Sequence, residues 1–472
     1  MRTRTTSAPG AKTSPRILDA IDPAQLVNFL GGKQVRNLAL RTVLETTIRI
    51  VPHISETRFM GLFDRTLANV QYPERREVLA ETLLMTKRLL SSQEYRKSAA
   101  TLLRRIVGEQ SKYTHAQAAF IQKHGVKPLD LIVISPSMRC NLHCYGCYAG
   151  EYSKADDLPA DVLKRVIAEA KDMGVHLAVI SGGEPFISYD VLQTWEDNPD
   201  LSFIVYTNGT LIDASMARRL AKMGNVYPAI SVEGFEPETD QRRGKGTFAR
   251  VLGAMENLRQ EGVLFGFSAT ATRANNELVS SSEFVDFFVH KGCMMGWYFN
   301  YMPVGRTPDL DLMPTPEQRI ARWRRVRELR RTKPILLADF WCDGALAGGC
   351  IAGGRAYLHV TCTGDAEPCV FAHFAADNVK DKSLTEIIKS PLFCAIRSRQ
   401  PYSPNLLRPC MIIDNPDVLR TVVVEGGAHP THEGADTIVG PLASRLDSYA
   451  FEYGKLADSA WEAEHGNTLD RH

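Results

Sequence analysis

The stretch Leu131-Ile-Val-Ile134-Ser-Pro-Ser-Met-Arg-Cys140-Asn-Leu-His-Cys144-Tyr145-Gly-Cys147 places an apolar run, read as a strand, just before three cysteines spaced CxxxCxxC. A loop leaving a strand can gather three thiolates around one inorganic centre and keep a fourth coordination position free. Structural zinc takes four protein ligands, commonly from two short pairs, and a cluster with four protein cysteines is coordinatively closed. No fourth Cys or His completes this set at a familiar spacing. His143 lies inside it, so a zinc knuckle stays as the competing reading.

Outward from the triplet, His176-Leu-Ala-Val-Ile180 reads as a buried strand that ends in Ser181-Gly182-Gly183-Glu184-Pro185. Two glycines at a strand end let backbone carbonyls approach a ligand where a Cβ would intrude. Taken alone, the segment is a strand-to-helix turn punctuated by Gly and Pro. Behind the cysteine triplet it carries more weight.

The two motifs in this order resemble the radical S-adenosylmethionine (SAM) superfamily. The resemblance implies that Cys140, Cys144 and Cys147 hold a [4Fe–4S] cluster whose open iron is chelated by SAM. One electron then cleaves SAM to methionine and a 5′-deoxyadenosyl radical. By the same analogy the SAM contacts are Tyr145, Gly182, Gly183, Glu184 and Pro185, joined at later strand ends by Asn208, Ser231, Glu233 and Thr270.

From about 126 to 345 strand and helix patterns alternate. The strand candidates span 129–135, 175–181, 201–207, 226–233, 264–270 and 296–302, with amphipathic stretches such as Ala160 to Asp172 and Thr247 to Gln260 between them. This alternation implies a parallel sheet with helices outside and ligands at the C-terminal strand ends. The expected fold is α/β, a partial (β/α)6 TIM-like barrel. Residues 17–125, with apolar positions at helical spacing in Gln34 to Glu45 and Arg76 to Arg88, read as a helical domain behind a disordered tail at 1–16. Such stripes are more often a private core than a membrane-binding face.

Seven further cysteines follow, at 293, 342, 350, 362, 369, 394 and 410. Between Cys350 and Cys369 the chain reads as two short strands about a Gly-Asp turn. This stretch is similar to the opening of a SPASM or twitch domain, which implies an auxiliary [4Fe–4S] cluster on Cys350, Cys369 and Cys410 within a small α+β extension at 346–415. Nothing beyond Cys410 is cysteine, so the fourth ligand is open among Cys342, Cys362, Cys394 and a substrate. Cys293 reads as a small core hydrophobe. Residues 416–472 read as a helical tail, closed by a helix at about 442–456.

Composition agrees with a globular protein: 472 residues, 44% hydrophobic and 23% charged, with a net charge of +2. The near-neutral field argues against nucleic acid, and no apolar run is long enough for a transmembrane helix. Clustered cysteines without a secretion signal favour metal ligation in a reducing, cytoplasmic setting. The substrate is expected to be a peptide side chain, with a lipid or small metabolite as the alternative. An external electron donor such as flavodoxin or ferredoxin is the expected partner. A non-catalytic iron–sulfur protein is the rival from another class.

Overall fold

The computed structural model describes residues 33–70 and 73–466. The tail expected at 1–16 lies outside the described residues. The chain divides into two compact units, residues 1–50 and 51–472. The described part of the first is one helix, Lys33–Ile50.

In the second unit, helices Pro73–Ser91 and Arg96–His124 lead to the sheet. The latter ends on Gly125, whose positive φ of 69° suits a helix C-cap. It is tied to the sheet region: Ser98 Oγ donates to Gly262 O at 2.6 Å, and Tyr113 OH to Asp200 O at 2.9 Å.

The six expected strands are present as β1 (Ile132–Ile134), β2 (Leu177–Ile180), β3 (Ser202–Thr207), β4 (Val226–Val232), β5 (Gly266–Ala271) and β6 (Met295–Asn300). They pair in parallel, each with the next. A seventh parallel strand, β7 (Leu336–Asp339), extends the β6 edge. Beyond β1 come β8 (His359–Val360), parallel to β1, and β9 (Ala366–Glu367), antiparallel to β8. The order β7-β6-β5-β4-β3-β2-β1-β8-β9 is an open sheet that the expected Cys350–Cys369 hairpin continues.

The connecting helices are encoded locally. Asp213 caps Ala214–Met223 by accepting from Met216 N, and Thr315 forms a capping box with Gln318 at the start of Pro316–Thr332. Burial follows: Phe203, Val205, Ile230 and Phe267 point into one large core with helix residues such as Val166, Val251 and Phe284. A second core, holding Tyr357, Phe374, Met411 and Leu446, joins the C-terminal region to the strand ends. The closing helix runs Ala443–His465, longer than the sequence pattern implies. No described helix is long and apolar enough to cross a membrane.

Candidate functional site

β1 delivers the chain through residues 135–139 into the cysteine loop. Parallel strands place this loop beside the turn after β2: Gly183 N donates to Ser137 O at 3.0 Å and Glu184 N to Arg139 O at 2.8 Å. The approach needs glycine. A Cβ on Gly183 would lie 2.1 Å from Arg139 O, and one on Gly182, with φ +102°, 2.5 Å from Ser137 O.

Cys140, Cys144 and Cys147 line one cavity of about 650 Å³ that continues into the barrel lumen. Among the expected SAM contacts, Gly182, Gly183, Asn208, Ser231 and Thr270 line this cavity. Tyr145, Glu184, Pro185 and Glu233 do not. Glu184, Glu233 and Pro185 each have an identifiable internal role.

Glu184 is 1% exposed and its carboxylate is spent on the protein. One oxygen accepts from Thr207 Oγ1 at 2.7 Å and Phe186 N at 3.2 Å, the other from Asn208 N at 2.7 Å. Burial pushes its carboxyl up, and these three donors partly offset that. Through them Glu184 fixes Asn208, whose amide donates to Asn141 Oδ1 at 2.8 Å and lies 3.8 Å from Cys140 Sγ.

Glu233 is equally enclosed. Arg242 donates to one oxygen at 2.7 Å and Arg243 Nε to the other at 2.8 Å. Arg242 also donates to Tyr145 O at 3.2 Å, and the Tyr145 ring is exposed. Arg243 thus pairs with a carboxylate. Burial raises the Cys144 thiol while Arg243 works against that rise, so the clamp leaves a cation beside the thiolate-forming site. Pro185 is buried and opens the short turn Pro185–Ile187.

Sequence reasoning missed Tyr148 and Arg306. Tyr148 OH is 2.5 Å from Ser181 Oγ and accepts from Gly182 N at 3.3 Å, and burial pushes its phenol up to about 12. Arg306 donates to Cys144 O at 3.0 Å from its side chain and to Cys147 O at 3.0 Å from its backbone. Its only sequence signal is its place after Gly305 at the β6 end, where a Cβ on that glycine would meet Tyr148 O at 2.3 Å.

Across the cavity, Ile351, Tyr357, Val370 and Phe371 form the far wall. Behind it Cys350, Cys369 and Cys410 pack in the same core. Burial raises all three thiols, Cys350 to about 11 and Cys410 to about 12, and Cys369 is pushed up further by burial and by both neighbours. Ile412 N donates to Cys410 Sγ at 3.3 Å, and backbone N–H groups of Ala352 and Phe371 serve Cys350 and Cys369. Three neighbouring buried thiols, each with a backbone donor, suit thiolates held for an iron–sulfur cluster. Among the described residues no three His, Cys, Asp or Glu side chains gather closely enough for a single metal ion.

Of the fourth-ligand candidates, the three cysteines lie elsewhere, and a substrate is the one left. Cys342 sits in a separate core with Trp323 and Tyr453, its thiol towards Arg319 O. Cys362 packs with Met138 and Tyr152 beside Cys147, and Cys394 is exposed on the helix Pro391–Arg397. None of them groups with Cys350, Cys369 and Cys410. The nearby carboxylate is Asp414, which accepts from Cys410 N at 3.0 Å and from Arg319 at 2.8 Å.

Residues 134–271 match the family model of the radical SAM superfamily, and residues 350–411 that of SPASM, an iron–sulfur cluster-binding domain. Mycofactocin maturase MftC of Mycobacterium ulcerans is 30% identical over 297 residues, covering 59% of this chain and 79% of that one. An AdoMet-dependent heme synthase of Methanosarcina barkeri is 26% identical over 277 residues, covering 52% and 78%. Among solved structures, SuiB of Streptococcus suis bound to its precursor peptide SuiA superposes with a TM-score of 0.53 at 21% identity, covering 68% of this chain and 77% of that one.

Proposed function

The chain belongs to the radical SAM superfamily, in the branch that carries a SPASM iron–sulfur domain, and from that premise we propose that it abstracts hydrogen from an apolar substrate group held in the barrel lumen. The observation that carries this reading is the single cavity running from Cys140, Cys144 and Cys147 to the wall in front of Cys350 and Cys369. When bound at the first thiols, the cluster and SAM supply a 5′-deoxyadenosyl radical by one-electron reductive cleavage.

The chain's own contribution is placement and exclusion. Cys140, Cys144 and Cys147 would hold the first cluster, and Gly182, Gly183, Asn208, Ser231 and Thr270 would hold SAM. Tyr206, Trp297, Phe299, Phe340, Tyr357 and Phe371 line the deeper part of the cavity. Phe299 stacks on Phe340 at 5.2 Å and meets Tyr206 edge-on at 5.4 Å, so this wall is a continuous aromatic surface. It would keep water from a carbon radical and orient the target C–H, which proximity rewards more than added binding strength.

The substrate reading follows from the same walls. A peptide side chain is supported by the relative named a maturase, and an aromatic or aliphatic residue would fill the lumen. A small acidic metabolite is the second reading, carried by Lys154, which lines the cavity with no carboxylate partner among the described ion pairs, whereas Arg139, Arg242, Arg243 and Arg306 are already paired with Asp157, Glu233 and Glu151. Anaerobic reconstitution followed by dithionite and SAM tests the chemistry: wild type should release 5′-deoxyadenosine, and Ala at Cys140, Cys144 or Cys147 should abolish it. Retained cleavage in any of the three variants would sink the assignment.

A further inference from the structure

A second cavity, of about 280 Å³, lies beside the N-terminal end of β7, between the helix Pro73–Ser91 and the end of Pro316–Thr332. It shares no residue with the first. Met60, Leu84, Met85 and Ile335 make one side apolar, and the remainder is strongly charged.

The charges do not cancel. Each cation at the cavity already has a carboxylate: Arg88 pairs with Glu56 at 2.9 Å, Arg331 with Glu77 at 3.5 Å, Lys333 with Asp286 at 2.6 Å, and Arg330 with Asp343. Arg330 also donates to Leu337 O at 2.8 Å. Glu81 is left over. Among the described residues its Oε1 is buried and has no hydrogen-bond partner. Burial pushes its carboxyl up to about 7, with Glu77 and Asp343 adding to the rise and Arg330 and Arg331 opposing it.

A carboxylate oxygen buried without a donor is costly even in a half-buried side chain such as Glu81, and a charge-assisted hydrogen bond is the usual remedy. A bound anion would have to draw one of the four cations from its partner. A bound cation need displace nothing. The volume is at the lower edge of ligand cavities, which limits the guest to a few carbons beyond its charged head. Unbranched methionines on the apolar side adapt readily to such a chain.

We propose that this cavity binds a small aliphatic amine, its ammonium on the Glu81 carboxylate and its chain against Met60, Leu84, Met85 and Ile335. The site stands apart from the radical chemistry and holds whether or not that reading does. Titration calorimetry of the full-length protein with n-butylammonium chloride at pH 8, against sodium chloride at equal ionic strength, tests it. Wild type should give saturable binding. Glu81→Gln keeps the shape, should stay folded, and should weaken binding at least tenfold. Met85→Trp, which fills the cavity but keeps the carboxylate, should lose binding as well. No saturable heat in wild type, or unchanged affinity in either variant, overturns the proposal.

Discussion

Replacing Glu184 with Gln separates an internal brace from a direct ligand contact. The carboxylate accepts from Thr207 Oγ1 at 2.7 Å and Phe186 N at 3.2 Å on one oxygen and from Asn208 N at 2.7 Å on the other. Gln keeps the shape but offers one acceptor oxygen. Its amide nitrogen must then confront an N–H or the hydroxyl, in a site that is 1% exposed. Losing one charge-assisted bond costs about 1.5–3 kcal/mol, and the stranded buried donor adds about 1–3 kcal/mol. Glu184→Gln should therefore destabilise the fold by about 2.5–6 kcal/mol, read as a lower urea midpoint. Asn208 would shift with its lost anchor, so SAM affinity by equilibrium dialysis should fall about tenfold, or ~1.4 kcal/mol. Combined with Thr207→Val, the two changes should couple by about 1 kcal/mol or more, because they delete the two ends of one contact. If Glu184→Gln left the midpoint in place, abolished SAM binding and showed no coupling to Thr207→Val, the carboxylate would be a ligand contact and the internal-brace reasoning would fail.

Three further outcomes are expected. Cys369→Ala should halve the iron after reconstitution, from about eight to about four per chain, while 5′-deoxyadenosine release without substrate persists; unchanged iron would remove the second cluster. Because folding raises the Glu81 carboxyl to about 7, its contribution to stability is full below its unfolded pKa and is lost as pH rises through about 7. Melting temperature should thus fall from pH 5 to pH 8 more steeply in wild type than in Glu81→Gln, and parallel profiles would contradict the burial of that group. Arg243→Met leaves Glu233 with Arg242 alone at 2.7 Å and takes a cation from Cys144. It should slow cluster assembly at the first site, measured as the rate of iron uptake, and leave uptake at the second site unchanged.

The first thiol set was legible because its three ligands lie within eight residues of chain, directly after a strand, so local spacing alone sets their convergence. The strands were legible because parallel strands buried on both faces read as continuous apolar runs. β7 escaped because it has four residues and follows the charged run Arg330-Arg-Thr-Lys333, too short for any period to show. What was not legible depends on partners far apart in sequence. Arg306 reaches Cys144 O across 162 positions, and Tyr148 meets Ser181 across 33.

Glu184 and Glu233 show the same limit from the other side. A carboxylate next to a glycine-rich strand end fits a ligand contact by composition alone, and only the count of its donors decides its role. Glu184 has three and Glu233 is held by two guanidinium groups, and neither carboxylate lines the cavity. Among the expected SAM contacts, those that do line the cavity are Gly182, Gly183, Asn208, Ser231 and Thr270. In this chain carboxylates are used to build the walls and are kept off their surface. The lining is therefore aromatic, with Lys154 as its cation free of a carboxylate partner among the described ion pairs, which is the physical basis for expecting a substrate that is mainly apolar.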